Sequence, residues 1–91
     1  MTEPTWELVI AVSAERQLAR LPEKIAAAVV EFALGPLRDN PRRVGHPLQR
    51  HLAGIWSARR GNYRIVYEID EEQQIVIVLR IDHRADVYRP R

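Results

Sequence analysis

The chain has 91 residues, 14 basic and 12 acidic side chains, a net charge of +2 and a hydrophobic fraction of 46%, which predicts one globular domain, residues 1–91. The absence of cysteine excludes disulfides and thiolate zinc sites, and the three histidines lack a metal-ligand spacing. No apolar run reaches the roughly 20 residues of a membrane helix, and the N-terminus lacks signal-peptide features. We therefore expect a cytoplasmic protein that uses no metal or cofactor.

The N-terminal part of the chain predicts one strand followed by two helices. Apolar side chains alternate from Trp6 to Val12, which indicates a strand. Ser13 is a plausible N-cap for a short first helix, and Pro22 suits the first position of a second helix. The second helix is predicted to extend to about Leu34, where Gly35-Pro36 ends or kinks it. The two helices would form a tight hairpin.

A connector rich in proline and glycine, residues 35–54, precedes a predicted β-hairpin. The strands Ile55–Arg60 and Tyr63–Ile69 flank Gly61-Asn62, a two-residue turn signal of the primed type. Side chains alternate across a sheet, so one face of this hairpin is expected to belong to the core. The residues predicted for that core face are Trp56, Ala58, Ile65 and Tyr67.

The C-terminal part predicts further strands. Ile75–Ile81 is a nearly continuous β-branched run, which is typical of a central strand buried on both faces. Val87 and Tyr88 are candidates for a short terminal strand. Helices that precede a meander of strands predict an α+β fold, with an antiparallel meander and both helices on one face of the sheet.

Arginine dominates the basic residues and clusters in the middle of the chain. Lys24 is the single lysine beside 13 arginines, and residues 38–64 carry a net charge of +6 between two acidic flanks. The predicted hairpin register places Arg59 directly opposite Arg64, and such a like-charged pair is unfavourable unless an anion lies between them. Alternatively, codon bias explains the arginines, and both side chains extend into water near Glu68. We favour an anion-binding site.

Three segments carry a resemblance to a known family. The run from Gly61 to Ile69 resembles the G-x-Y-R-I-x-Y-x-I strand of the RelE/ParE toxin superfamily, and Leu48 to Trp56 resembles the stretch before it. Ile81 to Arg89 resembles the C-terminal H-R-x-x-V-Y-R motif of that superfamily. The N-terminal strand and the helical hairpin with Leu21-Pro22 at its joint fit the same family, so the resemblance covers nearly the whole chain.

The resemblance implies a toxin of a bacterial type II toxin–antitoxin system, with a small α+β fold similar to microbial ribonucleases. RelE members cut mRNA in the ribosomal A site without a metal, which inhibits translation, and a RelB-like antitoxin protein blocks them. The expected partners are therefore a cognate antitoxin, the ribosome and mRNA. ParE members share the fold but inhibit DNA gyrase without being enzymes, and this is the alternative function. A nucleic-acid-binding module that does not cut is a further alternative.

The resemblance also implies roles for individual residues. Arg64 matches the arginine that contacts the scissile phosphate, and Arg59 could share that role. His83 is a candidate base or acid, as histidine titrates near neutral pH, and Arg84 is a second candidate acid. Tyr88 matches a tyrosine that stacks on a base or orients the sugar. The predicted RNA contacts are Arg38, Arg42, Arg43, Arg50, Arg59 and Arg60.

Each of these residues also has a structural interpretation. His83 could be bonded to the backbone, Arg84 could pair with Asp82 or Asp86, Tyr88 could lie in the core, and the connector arginines could simply be solvated.

The sequence departs from the family at two positions. Many RelE enzymes carry a basic residue two positions before Arg59, and some carry another two earlier, where this chain has Ser57 and Ile55. Part of the usual basic cluster is therefore missing, which keeps the gyrase alternative open. Arg60 or Arg50 could compensate only if the backbone brought them to the same face.

Overall fold

A computed structural model describes residues 6–48 and 54–83 of the chain, with side chains through Asp82. A strand, β1, is followed by two helices, α1 and α2, and a π-helical segment continues α2. Four strands, β2 to β5, complete the fold. The bounds are β1 Glu7–Ile10, α1 Val12–Arg20, α2 Glu23–Phe32, the π-helical segment Ala33–Leu37, β2 His46–Pro47, β3 Ile55–Arg60, β4 Tyr63–Asp70 and β5 Ile75–His83.

The strands form one five-stranded sheet in the order β1-β5-β4-β3-β2. β1 is parallel to β5, and the other neighbours are antiparallel. Both helices lie on one face of this sheet, because their buried side chains and those of one strand face form a single core cluster. The predicted α+β fold with helices on one face is therefore confirmed. No helix within the described ranges is long and apolar enough to cross a membrane.

The predicted hairpin is confirmed in its register and in the bounds of β3, while β4 extends one residue further than predicted, to Asp70. Ile55 pairs with Glu68 at one end of the hairpin, and Arg60 pairs with Tyr63 at the other. Arg59 lies opposite Arg64 as expected. Gly61 has a φ of +59°, which fits the first central residue of a primed turn and favours glycine there. The turn therefore sets which side chains share a face of the sheet.

The core lies between the helices and the face of β3 to β5 that they cover. Ile65 and Tyr67 are fully buried, Ala58 is almost fully buried, and Trp56 packs against the cluster while partly exposed. All four residues predicted for the core face are therefore in the core. Val29 and Leu37 contribute the largest fully buried aliphatic side chains of the helical layer.

The prediction that the Ile75–Ile81 run is buried on both faces is only half right. β5 is an internal strand, and its side chains on the helix-covered face are buried: Val76 at 0% exposure, Val78 at 2% and Ile81 at 4%. Ile75 and Ile77 on the other face are only half-buried. The reason is that no helix among the described residues covers that face. We call it the open face; it carries Ser57, Arg59, Arg64, Val66 and Glu68 on β3 and β4.

A β-bulge interrupts the pairing of β4 and β5. Val66 pairs with Arg80 but Tyr67 pairs with Val78, so Leu79 is the extra residue. Two side chains of α1 support the bulged strand: the Ser13 hydroxyl donates to the Leu79 carbonyl at 2.8 Å, and Gln17 Oε1 accepts from the Ile81 amide at 2.7 Å.

Two helix boundaries differ from the predictions. Ser13 is not an N-cap, because α1 begins at Val12 after Ala11 and the Ser13 hydroxyl is used at the bulge. Pro22 is the N-cap of α2 rather than its first residue.

The end of α2 differs too, because Gly35-Pro36 does not end it. The chain continues as a π-helical segment and returns to α-helix at 38–39. Pro36 has no backbone N–H to donate, and a widened helical turn accommodates its ring.

Candidate functional site

Arg59 and Arg64 lie side by side on the open face. They are directly opposed in the β3–β4 ladder, so their Cβ atoms are separated by roughly 5 Å. Arg59 is exposed and Arg64 is half-buried. The ion pairs within the described part of the chain join Arg42 to Glu71 and Arg80 to Asp82, so neither of the facing arginines takes part in one. Two adjacent guanidinium groups without a carboxylate partner favour binding of an anion.

These arginines line a shallow groove of about 450 Å³, which we call the arginine groove. Its lining comes from three elements: the edge strand β2, the segment that follows it, and the two hairpin strands. The lining residues are His46, Leu48, Ser57, Arg59 and Arg64. The groove therefore combines two permanent cations with a hydroxyl and an imidazole.

His46 reaches the groove because the connector is fixed against the sheet. It pairs with Ser57 at the start of β2, which places its side chain on the same face as Ser57 and Arg59. The preceding Gly45 lies so close to β3 that a Cβ there would come within 2.6 Å of the Ser57 carbonyl oxygen. Only glycine permits this approach, so the glycine at position 45 determines where His46 lies.

Tyr67 fixes the other end of the same connector. Its hydroxyl donates a 2.6 Å hydrogen bond to the carbonyl of Pro41, and both residues are buried. Burial raises the pKa of Tyr67 to about 12, because the phenolate would be poorly solvated there. The tyrosine is thus a neutral, permanent donor near neutral pH. Its contact with Pro41 holds residues 41–45 on the edge of the sheet that leads to His46.

Sequence reasoning missed His46 as a site residue. The histidine stands in a proline- and glycine-rich connector, 13 residues before Arg59, and no periodic pattern links the two. The one available signal was the pair Gly45 and Pro47 around it, which suits a short edge strand. Its proximity to the arginines follows from strand pairing, which the local sequence does not reveal.

Arg60 lies on the opposite face of the sheet from the arginine groove. It is paired with Tyr63, and its guanidinium carbon is 5.0 Å from the centroid of the Phe32 ring. Phe32 belongs to α2, so Arg60 lies on the helical side and cannot replace the basic residue missing at Ser57. The condition under which Arg60 could compensate, a position on the same face, is therefore not met, because neighbouring residues of a strand point to opposite faces.

The three described connector arginines, Arg38, Arg42 and Arg43, lie at the other end of the sheet. Arg42 forms an ion pair with Glu71, in the turn after β4, and lies 5.7 Å from the centroid of the Trp6 ring. Arg38 donates from Nε to the Trp6 carbonyl at 3.1 Å, and Arg43 is exposed beside Arg42 in the connector turn at residues 41–43. Six strand positions separate Arg64 from Asp70, the residue before Glu71, or roughly 20 Å. These arginines therefore do not line the groove.

Several predicted site residues lie outside the described ranges. They are Arg50 in the connector and Arg84 and Tyr88 at the C-terminus, and the candidate terminal strand at Val87 and Tyr88 also lies outside those ranges. The backbone of His83 is described and pairs with Tyr63 at the end of β5. Arg64 lies one ladder position away, opposite Asp82. The described part of the C-terminal motif, Ile81 to His83, thus lies at the same end of the sheet as the arginine groove.

Comparison with known proteins gives the family. Residues 8–88 match the profile of the ParE toxin of the type II toxin–antitoxin system parDE. The chain is 60% identical to the toxin RelG of Mycobacterium tuberculosis over 77 residues, or 85% of this chain and 88% of RelG. It is 51% identical to the toxin RelE of the same organism over 84 residues, or 92% of this chain and 87% of RelE.

A solved structure gives the same result at the level of the fold. The crystal structure of the toxin–antitoxin complex RelBE2 from M. tuberculosis contains a chain with a TM-score of 0.85 and 52% identity. The match covers 89% of this chain and 100% of that chain. The chain therefore belongs to the ParE toxin family of type II toxin–antitoxin systems, as a toxin of the RelE type.

Proposed function

We propose that this toxin is a ribosome-dependent, metal-free endoribonuclease that cuts mRNA in the A site and thereby stops translation. The observation that supports it best is the opposed pair Arg59 and Arg64 in an open groove. An RNA phosphate is a dianionic group during cleavage, and two guanidinium groups can each donate to its oxygens. A protein that used this surface only for packing would gain nothing from two facing like charges.

Cleavage by the 2′-hydroxyl needs a proton acceptor, charge stabilisation and a proton donor. The 2′-oxygen bonds to phosphorus, the bond from phosphorus to the 5′-oxygen breaks, and the products are a 2′,3′-cyclic phosphate and a 5′-hydroxyl. We assign charge stabilisation to Arg64 with Arg59. His46 is the imidazole that lines the groove with them, so we assign it as acceptor of the 2′-hydroxyl proton.

The remaining roles rest on the C-terminal motif. His83 or Arg84 would protonate the leaving 5′-oxygen, because β5 ends beside the strand position of Arg64. Tyr88 would stack on an unpaired base of the mRNA, which is a common way for proteins to hold single-stranded RNA. The mRNA is then the substrate, the ribosome is the partner in whose A site it is cut, and the place of action is the cytoplasm.

We also propose an antitoxin partner of the RelB type. The similar chain of known structure is part of a toxin–antitoxin complex, and residues 38–64 of this chain carry a net charge of +6. An acidic segment of the antitoxin would cover the arginine groove and block access of RNA. Because charge pairs at a surface are screened by salt, high ionic strength should weaken that part of the complex.

The test is to map mRNA 5′ ends in a translating reaction with purified toxin. The wild-type protein should give new 5′-hydroxyl ends within codons, and Arg64→Ala should lower the cleavage rate by about 10²–10³-fold. Arg16→Ala is the matched control, because Arg16 is exposed on α1, on the helical side of the sheet. If wild-type protein yields no new ends but produces gyrase-dependent DNA breaks with translation intact, the ParE-type function replaces this one.

A further inference from the structure

The β-bulge determines which face of the sheet Arg80 occupies. Val76 and Val78 point into the core, and simple alternation would send Arg80 into the core after them. The extra residue at Leu79 reverses this pattern: Ile81 is buried in the core opposite Ile65, while Arg80 and Asp82 face the open side. Bulges commonly re-aim side chains next to functional sites.

Asp82 holds the Arg80 side chain in place. The Nε of Arg80 donates to Asp82 Oδ1 at 3.2 Å and to Oδ2 at 2.9 Å. A guanidinium group has five N–H donors, and this contact uses only the one on Nε. Within the part of the chain that the structure describes, no residue accepts from the four N–H donors on the terminal nitrogens, so they remain for a ligand, and the Arg80 side chain is 57% exposed.

Arg80 lies next to the arginine groove. Asp82 is directly opposite Arg64, and Arg80 is opposite Val66, two residues along the neighbouring strand. Diagonal neighbours of this kind are separated by about 7–8 Å between backbones. Long arginine side chains can bridge this spacing to the next phosphate along one RNA strand. Three arginines outnumber the two carboxylates, Asp82 and Glu68, so this part of the open face stays positive.

We propose that Arg80 is a second phosphate-binding residue, which contacts the phosphate adjacent to the one held by Arg59 and Arg64. The inference rests on the proposed function, since it takes the ligand of the groove to be single-stranded RNA. It extends the RNA path across the sheet from β3 to β5. The α1 contacts to the bulge, from Ser13 and Gln17, then serve to keep Arg80 on the open face.

The test measures binding of a fluorescent oligouridylate hexanucleotide that carries 2′-O-methyl groups and cannot be cut. Arg80→Gln should weaken binding about five- to tenfold at low salt and reduce the slope of log affinity against log salt by about 0.7, the value for one single-strand phosphate contact. Arg16→Gln, the matched control, should leave both quantities unchanged. Thermal unfolding of both variants verifies that each is folded.

The proposal is overturned if Arg80→Gln binds the hexanucleotide as Arg16→Gln does, or if wild-type protein does not bind it. Loss of antitoxin affinity in Arg80→Gln with unchanged RNA binding would likewise overturn it and assign Arg80 to the protein partner. Because the probe needs neither ribosome nor cleavage, the result is independent of the translating reaction. If wild-type protein gives new mRNA ends in the translating reaction while Arg80→Gln binds the hexanucleotide as wild type does, the proposed function stays intact and this inference alone is refuted.

Discussion

The buried hydroxyl of Tyr67 provides a test of how the connector is fixed to the sheet. Tyr67→Phe removes one oxygen from a fully buried side chain and leaves the carbonyl of Pro41 without its donor. A buried acceptor that loses its partner costs about 1–3 kcal/mol. For a domain of this size, each kcal/mol corresponds to roughly 4–8 °C in Tm. We therefore expect Tyr67→Phe to be less stable than wild type near neutral pH.

The pH dependence of that difference is the sharper part of the prediction. Burial raises the pKa of Tyr67 to about 12 from an unfolded value of 10.0. Between these two values the unfolded chain loses the phenolic proton and the folded chain keeps it, so deprotonation favours unfolding. At about pH 11 the wild type should have lost about 1.4 kcal/mol of stability through this group, and Tyr67→Phe cannot lose it.

The assay is urea unfolding of both proteins at about pH 8 and pH 11. The stability advantage of wild type over Tyr67→Phe should shrink by about 1.4 kcal/mol at the higher pH. Tyr63→Phe is the matched control, because Tyr63 is half-buried and its hydroxyl donates no hydrogen bond to the described part of the chain. A wild-type advantage that does not change with pH would refute the reasoning.

Three further predictions concern the arginine groove. Arg64→Gln should leave unfolding stability within about 0.5 kcal/mol of wild type or raise it, because it removes repulsion with Arg59; a loss above that range would mean that Arg64 has a structural partner. Gly45→Ala should cost about 1–3 kcal/mol in urea unfolding, since its Cβ meets the β3 backbone. His46→Gln should slow mRNA cleavage about 10²-fold or more without loss of stability. If His46→Gln cuts at the wild-type rate and His83→Gln is slowed instead, the proton acceptor belongs to the C-terminal motif.

The hairpin and its consequences were predictable because their causes are local. Gly61-Asn62 sets a two-residue turn, the turn sets the register, and the period of two then assigns every side chain of β3 and β4 to a face. The core residues Ile65 and Tyr67 and the opposed arginines were therefore predictable from the turn and the alternation. The α+β fold was predictable for the same reason. Each helix or strand shows its own spacing of apolar residues, and glycine or proline residues mark where many of the elements end.

Local rules failed where a distant residue changed the outcome. Ser13 has a side chain suited to an N-cap, but its hydroxyl donates a hydrogen bond to the carbonyl of Leu79, 66 residues away. Gly35-Pro36 is typical of a helix end, but the following Leu37 is fully buried in the core. Its packing stabilises the helical backbone beyond Pro36. In both cases tertiary contacts outweigh a local preference, which amounts to about 1 kcal/mol for an N-cap and about 3 kcal/mol against a proline inside a helix.

The sequence by itself determined the two facing arginines and the family motifs around them, because adjacent strands joined by a short turn leave no freedom of register. Only the tertiary structure decided what surrounds that pair. Pairing of a two-residue edge strand, made possible by Gly45, brought His46 to the groove, and one extra residue in β5 turned Arg80 toward it. These placements depend on contacts between residues far apart in the chain, so no local pattern encodes them.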